Sequence, residues 1–183
     1  MSYKTPLTTA TEFGIMKAGT GLSVVDGVVS AGTGLLNYGF FTDGTQTNPV
    51  ANAVNLVTFS NSGPVNGISV VGTTAITVVN AGVYTAMFTL LVGKTGGGNS
   101  TVSFWLRYNG TDIPLSSQDL DLTTNSAQIF VSGNFTQTMA AGSNLQICWS
   151  SADTTVSLTA LPARTTPTRP TGASAKITLT RIS

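Results

Sequence analysis

The stretch TVSFWLRYNGTDIP, residues 101–114, decides how the chain is read. Val102, Phe104, Leu106 and Tyr108 fall on alternate positions, with Thr101, Ser103 and Arg107 between them. Alternation with period two is the mark of a β-strand that buries one face and leaves the other to polar surroundings. Asn109-Gly110 follows at once. Both central positions of a type I′ turn need positive φ, which Asn and Gly tolerate, so a tight hairpin is predicted there. Trp105 departs from the pattern, because it sets a second large apolar side chain opposite Phe104 and Leu106.

The same period recurs outward from this hairpin. Ala127, Ile129, Val131, Gly133 and Phe135 share a face in AQIFVSGNF, Leu145, Ile147 and Trp149 in NLQICWS, and Ala175, Ile177 and Leu179 in SAKITLT. Turn signals separate the runs at Asn61-Ser62-Gly63-Pro64, Asn80-Ala81-Gly82, Gly96-Gly97-Gly98-Asn99 and Ala141-Gly142-Ser143-Asn144. About eight short strands from residue 53 onward, and no helix, predict an all-β sandwich or barrel.

VYTAMFTLLV, residues 83–92, is apolar on both faces. Tyr84, Ala86, Phe88, Leu90 and Val92 lie on one side, and Val83, Met87 and Leu91 on the other. A strand of this kind is central to a large core, lies at a subunit interface, or has its second face covered by a loop. On the interface reading, Tyr84, Phe88, Leu90, Trp105 and Tyr108 are the candidate contacts.

Charged residues are only 8% of the 183, and the net charge is +1. The basic residues are scattered, so neither a nucleic-acid footprint nor an anionic-membrane patch is present, and no partner of either kind is expected. Surface polarity falls to Thr, Ser, Asn and Gln. Such a chain has little charge repulsion against self-association and suits a protein inside an assembly. The first residues, MSYKTPLTTATEFG, hold no apolar run of signal-peptide length, and no run approaches a membrane span, so synthesis in a cytoplasm is expected.

The chemistry-bearing residues are few. There is no histidine, which removes the commonest general base and metal ligand. The single cysteine, Cys148, allows no intrachain disulfide and reads as a small buried hydrophobe. VGKTGGG, residues 92–98, lacks the spacing of a phosphate loop, because Phe88 stands where its first Gly is needed. Asp119 and Asp121 share a face if QDLDL is extended, half of a calcium site at most or simply a solvated strand edge. No catalytic residue, cofactor or metal site is assigned. In PARTTPTRP, Arg164 and Arg169 read either as an exposed binding loop or as a proline-stiffened crossover.

The N-terminal third divides differently. Residues 1–17 read as an anchor, with Tyr3, Leu7, Phe13 and Ile15 as its apolar contacts. Residues 18–50 read as a Gly-rich β connector in which GTGL occurs at Gly19 and again at Gly32, around an Asp26-Gly27 turn signal. Gly19, Leu22, Gly32 and Leu35 are its candidate packing positions, either in a β-hairpin or in a stub of triple β-spiral. Residues 51–183 are the compact domain.

The compact domain resembles a recurring domain of bacteriophage and large-DNA-virus virion proteins. The resemblance is carried by W-L-R-x-N-G-x-D-I-P (Trp105 to Pro114), W-S-S-A-D (Trp149 to Asp153), P-T-R-P (Pro167 to Pro170) and the final S-A-x-I-T-L-T-R-I strand. Those domains are similar to the complement/tumour-necrosis-factor jelly roll, a two-sheet antiparallel sandwich that forms homotrimers. The resemblance implies a virion, and within it a capsid decoration, cement or head-fibre protein that docks by its N-terminus on another virion protein such as the major capsid protein. A tail fibre, or a tip that binds a host receptor or surface glycan, is the alternative. It implies no enzyme.

Overall fold

The computed structural model describes residues 22–25, 28–31, 36–123 and 128–183. The chain forms two units, Met1–Leu36 and Asn37–Ser183. In the first, β1 (Leu22–Val25) and β2 (Val28–Ala31) pair antiparallel with Leu22 opposite Ala31 and Val25 opposite Val28. The connector therefore contains a hairpin closed within one chain. Tyr3, Leu7, Phe13, Ile15, Gly19, Gly32, Leu35 and the Asp26-Gly27 turn lie outside the described residues.

The second unit comprises β3 (Tyr38–Asp43), β4 (Gln46–Thr47), β5 (Asn55–Leu56), β6 (Asn61–Asn66), β7 (Ile68–Val71), β8 (Ala75–Val78), β9 (Gly82–Lys94), β10 (Ser100–Tyr108), β11 (Thr111–Asp112) and β12 (Gln118–Leu122). It continues with β13 (Gln128–Met139), β14 (Asn144–Ser151), β15 (Val156–Leu158), β16 (Arg164–Thr165), β17 (Thr168–Arg169) and β18 (Ala175–Arg181). One sheet runs β4-β15-β9-β18-β3-β6, with β13 also paired to β9. The other runs β11-β10-β14-β8-β7, with β12 on β10 and β5 on β14. The strand pairings are antiparallel, as the alternating pattern predicts.

The inward faces form one core. Tyr84, Leu90, Val92, Ile177 and Leu179 come from the first sheet, and Phe104, Leu106, Ile147 and Trp149 from the second. Gly133 belongs to that face because the ring of Phe88 occupies the space a side chain would need, with ring atoms 2.2 and 2.5 Å from where a Cβ would stand. The hairpin predicted at Asn109-Gly110 is present, with φ of 47° and 80° at the two positions.

One boundary is corrected. Residues 37–50, read as the end of a connector, belong to the sandwich. Phe41 is buried, and β3 lies between β18 and β6 with Ile177 opposite Phe41. Asn48 is buried too, and its amide donates to the carbonyls of Ser151 and Asp153 at 3.0 and 3.1 Å. The Gly, Asn and Thr that suggested a linker lie within β3, in β4 and the turn between them, and in a side-chain staple, which composition does not distinguish from a loop.

Candidate functional site

Four neighbouring strands, β13, β9, β18 and β3, turn a broad face away from the core. Register aligns Asn134, Met87, Thr178 and Phe40 in one row across them. A flanking row holds Thr136, Thr85, Thr180 and Tyr38, and the opposite one Ser132, Thr89, Lys176 and Thr42. Met87 is 59% exposed, Phe130 62% and Phe40 37%. Thr85 donates to Asn134 Oδ1 at 3.1 Å, and Thr89 and Ser132 share a bond of 3.2 Å, so the hydroxyls of the face partly satisfy one another. Lys176 is the charged residue in these rows. An apolar and hydroxylated face with so little charge pays little desolvation on being covered.

The interface residues read from the sequence lie elsewhere. Tyr84 and Leu90 are 1% and 0% exposed, inside the core of a single chain, so neither is an intersubunit contact. Phe88 packs inward against Gly133. Tyr108 also packs on the core, and its hydroxyl accepts from the Ala140 N–H at 3.1 Å, which holds its pKa below the ordinary tyrosine value. Trp105 projects from the second sheet. On β9 the outward set is the other parity, the one carrying Met87. Leu91 shares that parity but is buried, and its backbone bonds to Thr159 and Ser174.

On the second sheet, Asp112 Oδ1 accepts from Trp105 Nε1 at 2.9 Å and from Arg107 Nε at 2.7 Å. Arg107, and then the indole, hold the Asp112 carboxyl below the usual range. Cys148 stands opposite Trp105 and is fully buried, which pushes its thiol up to about 11; the reading as an inert core residue fits this. Asp119 and Asp121 do share a face, as expected, and each takes a hydroxyl, from Ser103 at 2.6 Å and Thr101 at 2.7 Å. No group of three His, Cys, Asp or Glu among the described residues is placed to hold a metal ion.

The sequence reading missed one charged pair. Lys94 of VGKTGGG turns back from the hairpin tip and is buried. Its ammonium donates to the Gly98 carbonyl and lies 3.4 Å from Asp153 Oδ2. Asp153 also accepts from Ser100 Oγ and from both the N–H and hydroxyl of Thr155. Those bonds, Ser100 foremost, hold its carboxyl far below the usual range. The signal available in sequence was Asp153 at the end of W-S-S-A-D, but its partner is remote along the chain.

No protein-family model matches the chain, and no curated protein matches it. Solved structures do. The globular domain of zebrafish complement 1qA protein matches with a TM-score of 0.51 at 16% identity, over 81% of this chain and 98% of that one. Eiger TNF from S. frugiperda matches with a TM-score of 0.47 at 12% identity, over 81% and 94%. At such identity the likeness to the complement domain shows the fold alone: an antiparallel jelly-roll sandwich.

Proposed function

We propose that this chain is a non-enzymatic structural protein of a bacteriophage virion and acts as a homotrimer of its sandwich. Within that class it is a capsid decoration, cement or head-fibre protein, held through its N-terminal segment to another virion protein such as the major capsid protein. The trimer is carried by one observation, the outward face of β13, β9, β18 and β3 with Phe130, Met87 and Phe40 exposed. Burial of such a face around a symmetry axis removes apolar surface from water without stranding charge. The virion assignment rests on the W-L-R-x-N-G-x-D-I-P, W-S-S-A-D and P-T-R-P motifs. The non-enzymatic reading rests on a sequence with no histidine and one cysteine.

Light scattering on the full chain at micromolar concentration tests the trimer. The expected mass is three times the 18.8 kDa of the chain; a monomer overturns the proposal. The second reading, a tail-fibre or receptor-binding tip, is favoured by one feature, the arginine hairpin between β15 and β18.

A further inference from the structure

The segment joining β15 to β18 folds back on itself. Leu161 and Gly172 exchange backbone bonds of 2.8 and 2.9 Å at its base, and β16 and β17 pair above them. In that ladder Arg164 stands directly opposite Arg169, and Thr165 opposite Thr168. Directly opposed residues of an antiparallel pair project to the same face, where like charges weaken the pairing. In a chain with only eight basic residues, two of them repel each other across one hairpin.

Nothing described offsets that repulsion. The ion pairs among the described residues are Lys94 with Asp153 and Arg107 with Asp112. Each described carboxylate is engaged elsewhere: Asp43 by Thr58 and Ser60, Asp119 by Ser103, Asp121 by Thr101, and Asp112 and Asp153 by the pairs just named. Neither Arg164 nor Arg169 is paired with a carboxylate among the described residues.

Position adds a second argument. β18 begins at Ala175, beside Asp43, and ends at Arg181, whose N–H bonds to the Asn37 carbonyl. The chain enters the sandwich at the Asn37 end, while the arginine segment leaves from the Ala175 end. Seven residues of strand, roughly 23 Å at ~3.3 Å each, separate the two.

We propose that Arg164 and Arg169 form a two-arginine clamp for an oxyanion carried on a polysaccharide, at the end of the sandwich opposite the point where the N-terminal segment joins it. Each guanidinium offers a planar fork of N–H donors matched to carboxylate, sulfate or phosphate oxygens. A bound anion turns the mutual repulsion into shared attraction. Thr165 and Thr168 lie on the other face of the hairpin, where the Thr168 hydroxyl donates to the Thr165 carbonyl at 3.1 Å, while the exposed Thr166 at the turn carries a hydroxyl that matches a sugar hydroxyl in donor and acceptor capacity. Two arginines on a chain of net charge +1 are too few for a nucleic-acid backbone, whose binding scales with the number of phosphates neutralised. The inference goes beyond the trimer proposal and does not depend on it.

The test is calorimetric titration of the full chain at low salt with oligogalacturonate, dextran sulfate, phosphomannan and neutral dextran. Binding to at least one acidic probe and not to dextran is expected, and the probe that binds identifies the anion. The Arg164→Gln/Arg169→Gln double variant should bind at least tenfold more weakly, while Arg107→Gln stays within twofold of wild type. Each single variant, R164Q or R169Q, should melt at or above the wild-type temperature, because it relieves repulsion. Absence of binding to every acidic probe, undiminished binding by the double variant, equal weakening in R107Q, or a lowered melting temperature in the single variants would each overturn the clamp. Mass measured on the same samples separates a failed clamp from a failed trimer.

Discussion

Lys94 illustrates how a single residue acquires its role from its surroundings. In sequence it sits in a glycine-rich turn and invites comparison with a phosphate loop. Folded, its ammonium is shut away from water and depends on Asp153 and the Gly98 carbonyl. Removing one partner of a buried pair leaves an uncompensated charge, so Asp153→Ala is expected to cost about 3 kcal/mol in urea unfolding at neutral pH. The Asp153 carboxyl is held below its unfolded value of about 3.9. Its stabilisation is therefore present above that pH and fades as acid brings the solution down through the folded pKa. The gap between wild type and variant should narrow in step below about pH 4. Equal urea midpoints at neutral pH would show that the pair contributes nothing. The Thr155 bonds to Asp153 are local, but the pairing was not legible along the chain, because the Ser100 bond and the reach of Lys94 arise only when the turn between β9 and β10 meets the turn between β14 and β15.

At the scale of the element, β9 shows what periodicity does and does not contain. Its alternation and both-face apolarity were plain in VYTAMFTLLV, and the structure bears out a central strand. Which parity faces the core was not plain, since Tyr84, Phe88 and Leu90 are bulky enough to be read as an interface. A strand's pattern is symmetric under exchange of its faces until a second sheet is placed against one of them. The two parities now predict different failures. Met87→Glu, on the outward row, should leave circular dichroism nearly unchanged while reducing the assembly to monomers, with melting lowered only by the loss of association. Leu90→Ala, in the core, should cost about 3 kcal/mol of stability through the cavity it opens. An M87E variant that remains trimeric in light scattering would place the interface on another face. Gly133 is the companion case: alternation assigned it correctly to the inward face, but only the Phe88 ring explains why that position is glycine.

For the whole molecule, the limit of the folded unit is the point of difference. Composition suggested a domain beginning at residue 51, whereas β3 and β4 extend it to Asn37. A fragment of residues 37–183 is expected to unfold cooperatively with the midpoint of the full chain. A fragment of residues 51–183 lacks the strand between β18 and β6 and should be insoluble or molten by near-ultraviolet dichroism and dye binding. Cooperative unfolding of the shorter fragment would return the boundary to residue 51.

The alternating runs, the Asn109-Gly110 turn and the absence of a helical period were enough to determine an all-β chain of antiparallel strands, a sandwich or a barrel, because strand formation and turn type depend on neighbours along the chain. The opposition of Arg164 to Arg169 belongs to a two-stranded hairpin of its own, whose register follows from its turn. Two matters were decided only by tertiary structure: the parity of β9 and the pairing of Lys94 with Asp153. Each depends on which strand or turn lies alongside. That register is set by the packing of two sheets on one core, a property of the whole chain that no short stretch of it carries.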